Sequence, residues 1–169
     1  DLYQRRFDRA SGARRRSAIA IEAGHMHLRR RGDAETARAW FERALELCDD
    51  DLAIYHALAE LERHCGNRTG LCSALDRIIS LSAGKAAVST LLEAADLHTE
   101  AGHDEQALAH LERAQAQRPS DPLVLEALSD ALSRSGRHAD LAGVLERRAA
   151  LATGDPEALA ESLCELGCL

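Results

Sequence analysis

Cysteine, histidine and serine are the residues of this chain best suited to chemistry, and their spacing limits what they can do. Cys164 and Cys168 stand four apart, on one face of a helix, where they could ligate a metal or form a thiol pair. A structural zinc site takes about four ligands. No second His/Cys pair accompanies these two, and Leu163 and Leu166 beside them read as a core face. His64-Cys65 and Cys72 bracket Gly66 without a CxxC spacing. With Cys48 the cysteines number five, an odd count without a disulfide framework, which reads as free, buried thiols in a reducing, cytoplasmic setting. His25 and His27 are two apart and diverge by about 200° on a helix, so they cannot share a ligand. Ser17, Ser73 and Ser89 sit in no nucleophile elbow. Gly66-Asn67-Arg68-Thr69-Gly70 lacks the Lys-Ser/Thr and the preceding strand of a phosphate loop. The chain is read as non-enzymatic, with no cofactor or metal site.

The elements around these residues must be helices. Aromatics make up 3% of the 169 residues and there are three prolines, while Ala, Leu, Arg and Glu dominate. The formal charge is -7, which argues against nucleic-acid binding. It is unevenly spread: residues 1–50 carry 11 Arg against 9 acids, and the remainder is acidic. Two basic triplets, Arg14–Arg16 and Arg29–Arg31, bracket one helix and read as solvated surface, the second favoured at a helix C-terminus. No window approaches eighteen uncharged apolar residues, so no membrane partner is expected. No apolar h-region follows Arg5, Arg6 and Arg9.

A period organises the helical text. Gly32, Gly66, Gly102 and Gly136 are separated by 34, 36 and 34 residues, and each is followed by polar, capping-type residues. A helix ending in a tight turn needs a left-handed residue, which glycine supplies without steric cost. After each glycine a stripe recurs at i, i+4, i+7: Ala37, Phe41, Ala44; Leu71, Leu75, Ile78; Ala107, Leu111, Ala114; Leu141, Leu145, Arg148. Before each glycine runs a second amphipathic helix, as in Ile54, Tyr55, Leu58, Ala59 and in Val124, Leu125, Leu128, Ala131, Leu132. Asp121-Pro122 opens the latter as an N-cap followed by proline at the first helical position, and Asp155-Pro156 opens another.

These motifs resemble the tetratricopeptide repeat, over nearly the whole chain and in the degenerate form of bacterial arrays. The unit from Gly32 to Asp50 is close to the family consensus, and Pro119 stands where the family has a proline after its second helix. The Leu-Gly pair of the first helix is degenerate here, as Ala23-Gly24, Leu58-Ala59, Ala94-Ala95 and Leu128-Ser129, with Leu166-Gly167 a good match. Arg148 stands where a small residue is usual. The resemblance implies an all-α fold, an α-solenoid of stacked antiparallel helix pairs wound into a right-handed superhelix. The expected organisation is a single array over 1–169. Residues 1–12 end a preceding second helix, repeats span 13–50, 51–84, 85–119 and 120–154, and 155–169 is a truncated first helix. Both ends read as cut, as in a segment of a longer protein.

In such arrays a polar stripe of each first helix lines the concave groove. Here it comprises His25 and Arg29; Ala53, His56, Glu60 and Arg63; Ser89, Leu92, Asp96, Thr99 and Glu100; and Leu123, Glu126, Asp130 and Arg134. Four carboxylates fall on two neighbouring helices. The expected role is a scaffold or adaptor that binds a protein or peptide, one bearing basic residues, in that groove. A docking or regulatory module of a larger enzyme or signalling protein is the alternative. A third reading is head-to-tail self-association through apolar ends at Tyr3/Phe7 and Leu163/Leu166. The resemblance argues against the carboxylate clamp of chaperone-binding relatives, which needs Lys and Asn in the first helix. This chain has one Lys, Lys85, in a linker and one Asn, Asn67, in a turn.

Overall fold

Gly32, Gly66, Gly102 and Gly136 carry φ of 64°, 67°, 74° and 67°, the left-handed region that lets a helix stop and reverse. A Cβ at any of them would meet open space, so backbone conformation alone requires glycine there. Gly102→Ala should lower stability by about 1–2 kcal/mol, the cost of an L-residue in this region. An unchanged melting curve would contradict the turn geometry.

The computed structural model describes residues 2–151 and Cys164. Among them every regular element is helical: α1 (Leu2–Arg9), α2 (Ala13–Met26), α3 (Ala34–Leu47), α4 (Leu52–Cys65), α5 (Arg68–Leu81), α6 (Val88–Glu100), α7 (Asp104–Gln117), α8 (Pro122–Arg134) and α9 (His138–Leu151). The chain is an all-α helical repeat. The helix expected over 155–169, with Leu163, Leu166-Gly167 and Cys168, lies outside the described residues.

Acidic and amide side chains start four of the described helices, while His103 before α7 makes no side-chain cap. Asp33, Asp51, Asn67 and Asp121 accept hydrogen bonds from the backbone N–H of Thr36, Ala53, Gly70 and Leu123. Each such cap contributes about 1 kcal/mol. Pro122 occupies the first turn of α8, where no N–H is needed.

The chain divides into two compact units, Asp1–Lys85 and Ala86–Leu169. In the first, α2 packs on α3, α3 on α4 and α4 on α5, with α1 against α2. Its core holds Ala20, Ala23, Ala37, Phe41, Ile54 and Leu61, all buried. Tyr3 and Phe7 of α1 are half-buried, and the Phe7 ring meets Trp40 edge-on at 5.7 Å. In the second unit α6 packs on α7, α7 on α8 and α8 on α9, around Leu111, Leu125, Leu128, Leu132 and Leu145.

Two irregularities have local causes. α2 continues as a π-helix over His27–Arg31 before Gly32. Gly24 precedes Gly32 by eight residues, whereas Ala59, Ala95 and Ser129 precede their turn glycines by seven. The π-turn absorbs that one extra residue without breaking the helix. Arg148, at the position where a small residue is usual, is half-buried and donates to Ser129 Oγ at 3.0 Å. Ser129, only 3% exposed, in turn donates to the Glu126 carbonyl at 2.8 Å. The two departures from the repeat pattern in this helix pair thus satisfy each other.

A buried carboxylate ties α3 to α4. Glu62, 4% exposed, accepts from Arg38 Nη1 at 2.6 Å and from Asn67 Nδ2 at 2.7 Å. The Arg38 hydrogen bond, supported by Asn67, holds its carboxyl below the usual range against the opposing effect of burial. The folded state therefore prefers the ionised form. Its stabilisation is complete above the ordinary glutamate pKa, near 4.3, and is lost as pH falls through the lower folded value. Melting temperatures followed from pH 7 to pH 3 should drop on this limb. Glu62→Gln should flatten the drop, and an identical acid profile in the variant would remove Glu62 from its origin.

Candidate functional site

The polar stripe of the first helices takes two different forms in the two units. In the first unit, Arg29 lies on the π-turn of α2 and Glu60 on α4, and they meet in a two-pronged ion pair: Arg29 Nε and Nη2 donate to the two carboxylate oxygens, each at 2.7 Å. This hydrogen bonding lowers the Glu60 pKa and raises that of Arg29. His25 Nδ1 lies 3.5 Å from the same carboxylate, and its ring stacks edge-on against Phe41 at 5.4 Å. Burial pushes the His25 pKa down, outweighing the attraction of Glu60. His56 and Arg63 stay exposed on α4. Three of the five expected polar residues here are thus engaged with one another, and the charge of Glu60 is already answered.

In the second unit the stripe forms a cleft of about 220 Å³. Ala95, Asp96 and Thr99 of α6 line one wall. Leu123, Glu126, Ala127, Asp130 and Arg134 of α8 line the other, with Leu111 of α7 also contributing. Spacings of three and four along α8 bring Leu123, Glu126, Ala127 and Asp130 onto one helical face. Asp96, Glu126 and Asp130 are exposed and make no ion pair with another described residue. Arg134 turns toward the end of the cleft: its Nη2 is 3.3 Å from Thr99 Oγ1 and its Nε is 3.7 Å from Asp104 Oδ1. Leu123, 66% exposed, is one of the few large apolar side chains left open to solvent among the described residues. Glu100 is exposed at the end of α6 and is not among the lining residues.

Ala95 and Leu111 belong to packing patterns of the sequence and Ala127 to no stripe identified there, yet all three line the cleft. The signal for Ala127 was present in its spacing from Leu123 and Asp130. The cysteines depart from the expectation of burial. Cys48 and Cys72 are half-buried, while Cys65 and Cys164 are exposed. Cys48 caps the end of α3 and Cys65 ends α4 just before Gly66, so both sit where a helix leaves the core. Burial raises the pKa of the Cys72 thiol, with Asp76 adding to the effect.

Among the described residues no helix is long and apolar enough to cross a membrane. Residues 18–61 match the family model of the tetratricopeptide repeat. No curated protein matches the chain. Solved structures of similar fold include MamA, at a TM-score of 0.63 and 15% identity over 89% of this chain and 82% of that one. A second MamA structure gives a TM-score of 0.64 at 16% identity, over 85% of this chain and 77% of the other. YrrB, described as a TPR protein with an unusual peptide-binding site, gives 0.62 at 14% identity over 87% of this chain and 76% of its own.

Proposed function

From a chain that carries a tetratricopeptide repeat at residues 18–61 and has the fold of tetratricopeptide-repeat proteins, we propose a non-enzymatic scaffold that binds a segment of a partner protein in the cleft between α6 and α8. The repeats are read as 13–50, 51–84, 85–119 and 120–154. The observation that carries the proposal is the contrast between the units. Glu60 is bound by Arg29, whereas Asp96, Glu126 and Asp130 line a cleft beside an exposed leucine and have no ionic partner among the described residues. Carboxylates on facing helices repel one another and favour a ligand of opposite charge, so the partner segment is basic. The peptide-binding site described for YrrB agrees with this type of role.

Affinity capture tests it, with the chain as bait beside a variant carrying Asp96→Lys, Glu126→Lys and Asp130→Lys. The variant is first matched to the parent in helicity and melting temperature. A partner retained by the parent and lost by the variant is the expected result. Equal capture by both baits would overturn the cleft as the binding surface.

A further inference from the structure

We propose that the cleft between α6 and α8 is a socket for a single arginine side chain of the partner, with an aliphatic residue next to it resting on Leu123. This rests on the reading of the cleft as the partner-binding surface and specifies what enters it.

Size comes first. About 220 Å³ is below the roughly 300–1,000 Å³ of small-molecule sites, so the cleft itself takes one long side chain while the rest of the segment lies outside it. Charge comes second. Three arginines of this unit are directed to carboxylates other than those of the acidic trio: Arg118 to Asp121, Arg134 to Asp104, and Arg137 to both Glu112 and Asp140. Exposed carboxylates without an ion pair occur elsewhere in this unit, as at Glu105 and Glu146, but Asp96, Glu126 and Asp130 are the ones gathered around a cleft, so a cation entering it is supplied by the ligand.

The arrangement of those carboxylates favours arginine over lysine. Asp96 stands on α6, while Glu126 and Asp130 stand on α8. A planar guanidinium has five N–H donors in fixed directions and can serve acceptors on two walls at once, whereas an ammonium is a compact and more strongly hydrated point charge. The apolar part of the lining, Leu111 with Ala95 and Ala127, suits the methylene stem, which long cationic side chains lay along apolar surface while the charged head stays polar. Arg134, held by Thr99 and Asp104, places a positive charge at the far end of α8. A second basic residue of the ligand is therefore disfavoured on that side, and the aliphatic neighbour falls at the Leu123 end.

A random array of 12-residue peptides, probed with the full chain and with Asp96→Asn and Asp130→Asn, tests both levels. The strongest binder is then resynthesised with its arginine replaced by lysine or citrulline and titrated calorimetrically. The inference expects arginine enriched among binders, roughly tenfold weaker binding with lysine, loss of measurable binding with citrulline, and at least tenfold weakening in each variant. Binders that depend on Asp96 and Asp130 but show no arginine preference, or that tolerate citrulline, would overturn the arginine socket and leave the cleft as a binding surface. Binders indifferent to both variants, or no binders at all, would overturn both readings.

Discussion

Gly24→Ala should destabilise the chain by about 1–3 kcal/mol, the range for overpacking a filled core. Intrinsic propensity points the other way, since Ala in a helix interior is favoured over Gly by about 1 kcal/mol. The sign is set by Phe41. A Cβ on Gly24 would sit 2.6 Å from Phe41 Cδ1 and 2.8 Å from its Cζ, with Cε1 closer still. Phe41 has no exposed surface, and His25 stacks on its edge, so the ring has nowhere to go. At the position of Phe41 the other helix pairs have Leu75, Leu111 and Leu145, and at the position of Gly24 they have Ala59, Ala95 and Ser129. The larger partner and the missing side chain belong together. Combining Gly24→Ala with Phe41→Leu should recover much of the loss in urea denaturation. A single variant as stable as the parent would show that α2 and α3 are not this close.

Leu111→Ala should cost about 2–5 kcal/mol, the usual range for a large-to-small change in a packed core. Leu111 is 2% exposed and packs with Ala95, Leu125, Leu128 and Leu145, so its removal leaves a void between α6, α7 and α8. It also lines the cleft between α6 and α8, and if that cleft is the binding surface, as proposed, the variant should bind peptide more weakly even where it remains folded. Leu111→Met, which conserves volume, should cost less than about 1.5 kcal/mol. If the alanine variant unfolds at the parent's urea midpoint, the packing register of the second unit is wrong.

Much of the fold was legible in the residues because its determinants are local. A glycine held at positive φ, an aspartate two or three residues before the amide it caps, and an apolar stripe at i, i+4, i+7 each require only near neighbours in the chain. Gly32, Gly66, Gly102 and Gly136, the caps at Asp33 and Asp121, and the buried series Ala107, Leu111, Ala114 were all readable this way. The π-turn at His27–Arg31 was readable too, in the eight-residue interval from Gly24 to Gly32, but only to a reader comparing intervals.

The repeat, its turns and the faces its helices bury therefore follow from the order of the residues alone. The tertiary structure decided which charges remain available. Arg29 and Glu60 are 31 residues apart and Arg38 and Glu62 are 24 apart, and each pair closes between helices at a distance of 2.6–2.7 Å. Asp96, Glu126 and Asp130 lie on equally polar stripes, yet no arginine among the described residues reaches them. Helical periodicity sets the face on which a charge stands, but an ion pair depends on the reach and rotamer of two long side chains from different helices. That is settled only when the helices pack, and here packing pairs Glu60 with Arg29 and leaves Asp96, Glu126 and Asp130 without an ion pair among the described residues.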